Sequence, residues 1–119
     1  MKWKILPFDR LTRKELYAIM RFRASVFIVE QNCVYQDIDN QDQNAYHLIG
    51  KAKEENICAY ARIIPPKRGY VSIGRVAVYA KERNKDYGKT LIIKAIKFSK
   101  QKFKGKQIKI SAQKYLETF

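Results

Sequence analysis

The sequence predicts an α+β (mixed α/β) layer, one sheet with helices on both faces. Three observations point there. Residues 71–88, VSIGRVAVYAKERNKDYG, read as a buried strand, a short turn and an Arg-x-x-x-x-Gly loop that opens an amphipathic helix. Residues 11–16, LTRKEL, carry a helix-start pattern of their own. Between these two helices, apolar runs at 46–52 and 57–64 read as a hairpin that Pro65 and Pro66 stop.

The elements follow in order. A first strand covers residues 3–6 and Pro7 ends it. Thr12 is then the N-cap and Glu15 its reciprocal capping-box partner, with Leu11 and Leu16 at the staple positions. Leu16, Ile19, Met20, Val26 and Phe27 recur on one helical face, so the helix runs on into residues 26–30. Residues 31–44 are polar and irregular and hold the only acid-rich stretch, with Asp37, Asp39 and Asp42. After the hairpin, turning near 54–56, Gly69 marks the entry to a fourth strand at 71–79. In that strand Val71 and Ile73 share one parity and Val76 and Val78 the other. A flip of phase at Gly74–Arg75 predicts a β-bulge; a strand buried on both faces is the plainer alternative. The helix at 87–103 turns Leu91, Ile92, Ala95, Ile96 and Ser99 inward. A turn at 104–106, a strand at 107–111 and the beginning of a helix at 113–119 close the chain.

A chain of 119 residues bounds a single domain, residues 1–119, and its eight Tyr, six Phe and one Trp suffice for a core. No run approaches the roughly 18–20 apolar residues of a membrane helix. The start, MKWKILPFDR, lacks the apolar stretch and cleavage site of a signal peptide. Cys33 and Cys58 match neither a metal spacing nor a redox pair, so two buried or half-buried thiols in a reducing cytoplasm are expected, and no metal. Net charge is +14, and residues 81–109 hold eleven Lys or Arg against Glu82 and Asp86. For Lys94, Lys97, Lys100 and Lys102 a solvated helix face is the expected role. A nucleic-acid partner is the weakest reading of the patch, because no exposed aromatics of the kind that stack bases interleave it.

The words RFRASVFIVEQNCVYQDID (21–39), HLI (47–49), AYARIIPP (59–66), SIGRVAV (72–78) and ISAQ (110–113) resemble the ElaA-like branch of the GCN5-related N-acetyltransferase (GNAT) superfamily. The resemblance spans essentially the whole chain. It implies a twisted, mostly antiparallel sheet with an acyl-CoA cleft between strands 4 and 5, and acetyl-CoA as cosubstrate. Backbone groups of Val76, Ala77 and Val78 would hold the pantetheine arm, with the amide near Val76 polarising the thioester carbonyl. The family's Arg/Gln-x-x-Gly-x-Gly/Ala loop for pyrophosphate maps to Arg83, Asn84, Lys85, Asp86, Tyr87 and Gly88. Asp86 stands where the family has its first Gly; its carboxylate predicts a weakened site, offset by Lys85 and Lys89. The family's Tyr proton donor falls just beyond Phe119, Gln113 takes an Asn-like place, and the final β-hairpin is missing. Tyr115 is the nearest phenol, at the wrong spacing, and is read as packing. The missing hairpin exposes a strand edge, which invites a homodimer.

Transfer of an acyl group to an amine requires a deprotonated nucleophile, since a Lys-like amine titrates at about 10.4. The resemblance places Glu30 and Asp39 best for that role, acting through water. The bland alternative for Glu30 is a helix-end hydrogen bond. For Asp37, Asp39 and Asp42 it is solvated loop acids, and their functional alternative is recognition of a cationic amine. Arg75 interrupts an apolar strand and is read as lining the active cleft or pairing with Glu30. His47, the sole histidine, is read as structural rather than catalytic. The expected function is acetyl-CoA-dependent N-acetylation of a small-molecule or peptide amine in the cytoplasm. The alternative is an inactive GNAT-like protein that binds CoA or a protein partner.

Overall fold

The computed structural model describes residues 1–52, 56–83 and 85–112. Strands β1 (Lys2–Pro7), β2 (Tyr46–Lys51), β3 (Ile57–Ile64), β4 (Tyr70–Val78) and β5 (Gln107–Ala112) form one sheet in chain order. The first four are antiparallel; β4 and β5 are parallel and joined across one face by α2 (Tyr87–Lys102). A parallel pair needs such a crossover, because a tight turn cannot reverse the chain twice. Helix α1 (Arg13–Arg23) covers the other face.

The capping box forms as expected. Thr12 Oγ1 accepts from the Glu15 amide at 3.0 Å and Glu15 Oε1 accepts from the Thr12 amide at 2.9 Å. Glu15 also meets Lys4 and, at 3.9 Å, Lys51, which ties the helix start to the sheet. The helix does run on to Glu30, but residues Ala24–Glu30 widen into a π-helix. Ser25 Oγ donates back to the Arg21 carbonyl at 3.0 Å, and such back-bonding loosens the ordinary ladder at this point.

Alternation along the strands divides the core in two. Leu48, Ala59, Ala61, Ile63, Val71, Ile73, Val76 and Val78 pack against Leu91 and Ala95 of α2. Ile49, Tyr60 and Ala77 face Ile19, Phe22, Val26 and Phe27 on the other side. Val71, Ile73, Val76 and Val78 share a face despite their change of parity because β4 carries a bulge. Opposite it, β3 advances two residues from Tyr60 to Arg62 while β4 spans three from Ala77 to Gly74. The same offset recurs against β5, where Ile73 and Val76 pair with Ile110 and Ala112.

The left-handed residue of the bulge is Arg75, with φ 51°, and not Gly74. A non-glycine residue there needs compensation, and the Arg75 side chain has it, as described below. Gly50 has a different reason: a Cβ on it would stand 2.7 Å from the Trp3 ring. Asn84, the expected helix start at 113–119, and Glu54 and Glu55 of the expected hairpin turn lie outside the described residues. Cys58 is buried, whereas Cys33 is exposed and corrects the expectation for that thiol. Among the described residues no helix is long and apolar enough to cross a membrane.

Candidate active site

Residues 31–45 connect the π-helix to β2 and lie against three arginines from three elements. Arg23 of α1 donates from Nε to Asp37 Oδ2 at 3.1 Å, and from Nη1 to Asp42 Oδ1 at 2.6 Å. Arg62 of β3 reaches both Asp39 oxygens at 2.8 Å and Asp42 Oδ1 at 2.9 Å. Arg75, at the bulge, donates from Nε to Asp37 Oδ1 at 2.8 Å and from Nη2 to Asp39 Oδ2 at 3.2 Å. Its guanidinium also lies 5.4 Å from the Tyr35 ring centroid. The planar fork of arginine suits this two-sided bonding.

These contacts correct two expectations. Asp37 and Asp42 are buried, at 5% and 4% exposure, and Asp39 is half-buried, so the acids are not solvated. Arg75 pairs with Asp37 and Asp39, not with Glu30. Burial alone would raise the Asp39 carboxyl, but hydrogen bonds and charge from Arg62, with help from Arg75, hold it down at about 2. Asp42 is likewise lowered against its burial by Arg23 and Arg62. His47 lies beneath the cluster, fully buried. Its Nε2 donates to the Asp42 carbonyl at 3.0 Å and its Nδ1 accepts from the Tyr60 hydroxyl at 2.6 Å. Burial favours its neutral form, which that bonding pattern requires.

Beyond the C-terminal end of β4, a single 3-10 turn (Ala80–Glu82) leads to Arg83. Arg83 donates to Glu30 through Nη1 at 2.5 Å and Nη2 at 3.0 Å, and through Nε to the Val78 carbonyl at 3.0 Å. Lys85 meets Glu82 at 2.8 Å in solvent. Asp86 takes the N-cap of α2 in the left-handed region, φ 60°, and its side chain makes no capping bond. The helix end therefore keeps its positive dipole end without a capping side chain. Gly88 is buried; Lys89 is exposed on the first turn.

A cleft of about 1390 Å³ lies apart from the bulge, between α1 and the 79–87 segment. Tyr17, Arg21, Cys58, Tyr79, Lys85 and Tyr87 line it, and neither Arg75 nor Val76 does. It touches the turn before α2 and leaves the bulge to a separate surface.

Residues 14–115 match the acetyltransferase (GNAT) family. The chain belongs to that family. Escherichia coli ElaA is 35% identical over 123 residues, covering all of this chain and 80% of its own length. A Schizosaccharomyces pombe UPF0039 protein is 40% identical over 111 residues, which is 92% of this chain and 74% of the relative. The crystal structure of E. coli ElaA superposes with a TM-score of 0.89 over 97% of this chain and 80% of that one. An acyl-CoA N-acyltransferase from Pseudomonas aeruginosa, 32% identical, gives 0.88 over 98% of this chain and 80% of that one. This is an ElaA-like GNAT, and the twisted, mostly antiparallel sheet is that of ElaA.

In this GNAT chain the bulge brings Arg75 to Asp37 and Asp39, while Glu30 sits with Arg83 beyond the C-terminal end of β4. Sequence reasoning missed Arg23 and Arg62 as partners. A signal was present: Arg23 lies on the same helical face as Ile19, Val26 and Phe27, where a charge must find a buried partner.

Proposed function

We propose that this chain is an acetyl-CoA-dependent N-acetyltransferase acting on an amine of a small molecule or peptide. The observation that carries the reading is the bulge at Arg75, which puts β4 out of step with both neighbours midway along the strand. Such a bulge leaves backbone groups for a ligand. The residues present fit the cosubstrate: a left-handed turn at Asp86, a helix end without a side-chain cap, and Lys85 and Lys89 beside it. Arg83, Asn84, Lys85, Asp86, Tyr87 and Gly88 would hold the pyrophosphate, and Val76, Ala77 and Val78 the pantetheine arm. When bound, acetyl-CoA supplies an activated acyl thioester.

The amide at Val76 is the group that would polarise its carbonyl. Of the two candidate carboxylates, Asp39 is a weak base, held at about 2 by its arginines. Glu30 ends the π-helix, paired with Arg83 at the turn before α2, and is the other candidate to take the proton through water. We place the protein in the cytoplasm.

Calorimetric titration with acetyl-CoA, followed by thiol release across a panel of amines, tests the reading. Saturable binding with amine-dependent thiol release supports it. An absence of acetyl-CoA binding ends it, and binding without thiol release from any amine leaves a CoA-binding GNAT that is not an enzyme.

A further inference from the structure

Most of the cleft between α1 and the 79–87 segment has no task in the proposed transfer. Neither Arg75 nor Val76 lines it, and only Lys85 and Tyr87 are shared with the phosphate turn. Its long wall is the outer face of α1, where Lys14, Tyr17, Ala18 and Arg21 recur at the spacing of one helical face. Tyr17 is 74% exposed, and Tyr79 on the opposite wall is 43% exposed. Phe22 and Cys58, both buried, give the same cleft an apolar floor. Val29, Val34 and Ile38 are exposed as well but do not line it. Exposed rings that converge on one concavity mark a surface that something covers. Charge says what kind of thing. Among the described residues Arg13, Lys14, Arg21 and Lys85 line the cleft against one carboxylate, Glu82, which already pairs with Lys85. Arg13, Lys14 and Arg21 meet no carboxylate among the described residues.

We propose that this cleft docks an acidic segment of a partner protein: two carboxylates about four residues apart, with an aromatic or aliphatic side chain between them. Arg13 and Arg21 belong to one helix and stand about 12 Å apart along its axis. An extended chain covers that distance in about four residues, at roughly 3.3 Å each. One carboxylate then reaches each guanidinium, whose planar fork suits it, and the side chain between them packs on Tyr17 and Phe22. A phosphate group gathers its charge at one point and would leave one of the two arginines unanswered. Size agrees, because about 1390 Å³ exceeds the roughly 300–1,000 Å³ of a small-molecule pocket. The net charge of +14 also speeds the approach of an acidic partner. None of this depends on the acyltransferase reading, and it holds or fails whether or not acetyl-CoA binds.

The test pans a displayed library of random dodecapeptides on the full chain and reads the affinity of the enriched peptides by fluorescence anisotropy. Those peptides should carry two Asp or Glu about four positions apart around an aromatic or aliphatic residue. Arg13→Glu/Arg21→Glu should weaken them at least about tenfold. Lys97→Glu/Lys100→Glu makes the same change of charge on exposed positions of α2, across the sheet, and should leave affinity within about twofold. Tyr17→Ser changes no charge and should cost about fivefold. Should charge reversal on α1 unfold the chain, Arg13→Gln/Arg21→Gln takes its place, with an expected loss of about fivefold. Equal losses in the two charge-reversed variants would mean attraction to net charge alone and overturn the proposal. So would enrichment of peptides without acids, no enrichment at all, or undiminished binding by Tyr17→Ser. ADP is the probe for a nucleotide, the cosubstrate's own included. If ADP displaces the peptide and itself binds more weakly to Arg13→Glu/Arg21→Glu, the cleft is a nucleotide site and the proposal is overturned.

Discussion

Segment 31–45 takes two aspartates almost wholly out of water and a third halfway, each against arginines, whereas the turn at 79–86 leaves Glu82 and Lys85 paired near the surface. Both segments flank β4, and both join a helix to a strand. In the first, each carboxylate meets two guanidiniums, so removing one charge strands its partners in a medium of low dielectric. In the second, water screens whatever is removed. Burial has turned one set of charges into architecture. Exposure has left the other set screened by water.

Arg23→Met tests the buried side most severely. Asp37 and Asp42 lose a partner that is itself fully buried, and the expected loss is about 3–5 kcal/mol in urea denaturation. A loss under about 1 kcal/mol breaks the comparison.

Acid titration comes next. The Asp39 carboxyl falls from an ordinary 3.8 to about 2 in the folded chain. Its contribution, about 2 kcal/mol, is therefore present in full above pH 4 and lost as the pH falls from 4 towards 2. Asp39→Asn should flatten the stability curve across that window, and parallel curves for the two proteins would contradict the pairing. His47, buried neutral, adds a loss of the same sign as pH falls below its ordinary 6.5.

On the exposed side, Asp86→Gly keeps the left-handed turn and removes a carboxylate from the helix end. CoA affinity should rise about fivefold by calorimetry, and no change would show that this charge does not oppose the ligand. The smallest effect belongs to Lys85→Ala. The Lys85–Glu82 pair sits in solvent, with the Lys85 side chain 57% exposed. The melting temperature should stay where it was; a clear drop would mean that the turn also depends on its charges.

The sequence announced β3 and the start of α2 to the residue, because Pro65 and the Arg-x-x-x-x-Gly loop are local signals. The phase flip in β4 gave the bulge, since parity is a property of one strand. It could not say which of Gly74 and Arg75 takes the left-handed turn, because Arg75 is held there by Asp37 and Asp39, thirty-eight and thirty-six positions away. The ion-pair cluster was hidden for the same reason. Its arginines come from α1, β3 and β4, and no spacing along the chain records which acid each will meet. Read alone, residues 31–44 resemble an ordinary hydrophilic loop, although their acids face inward.

Holding a loop from its inner side has an evolutionary consequence. Ion pairs at 30, 37 and 39 set its path, so the outward positions 29, 34 and 38 carry little of the fold's stability. A library randomised at those three sites should keep the parent's melting temperature. Selection could then change this surface without first having to repair the fold beneath it.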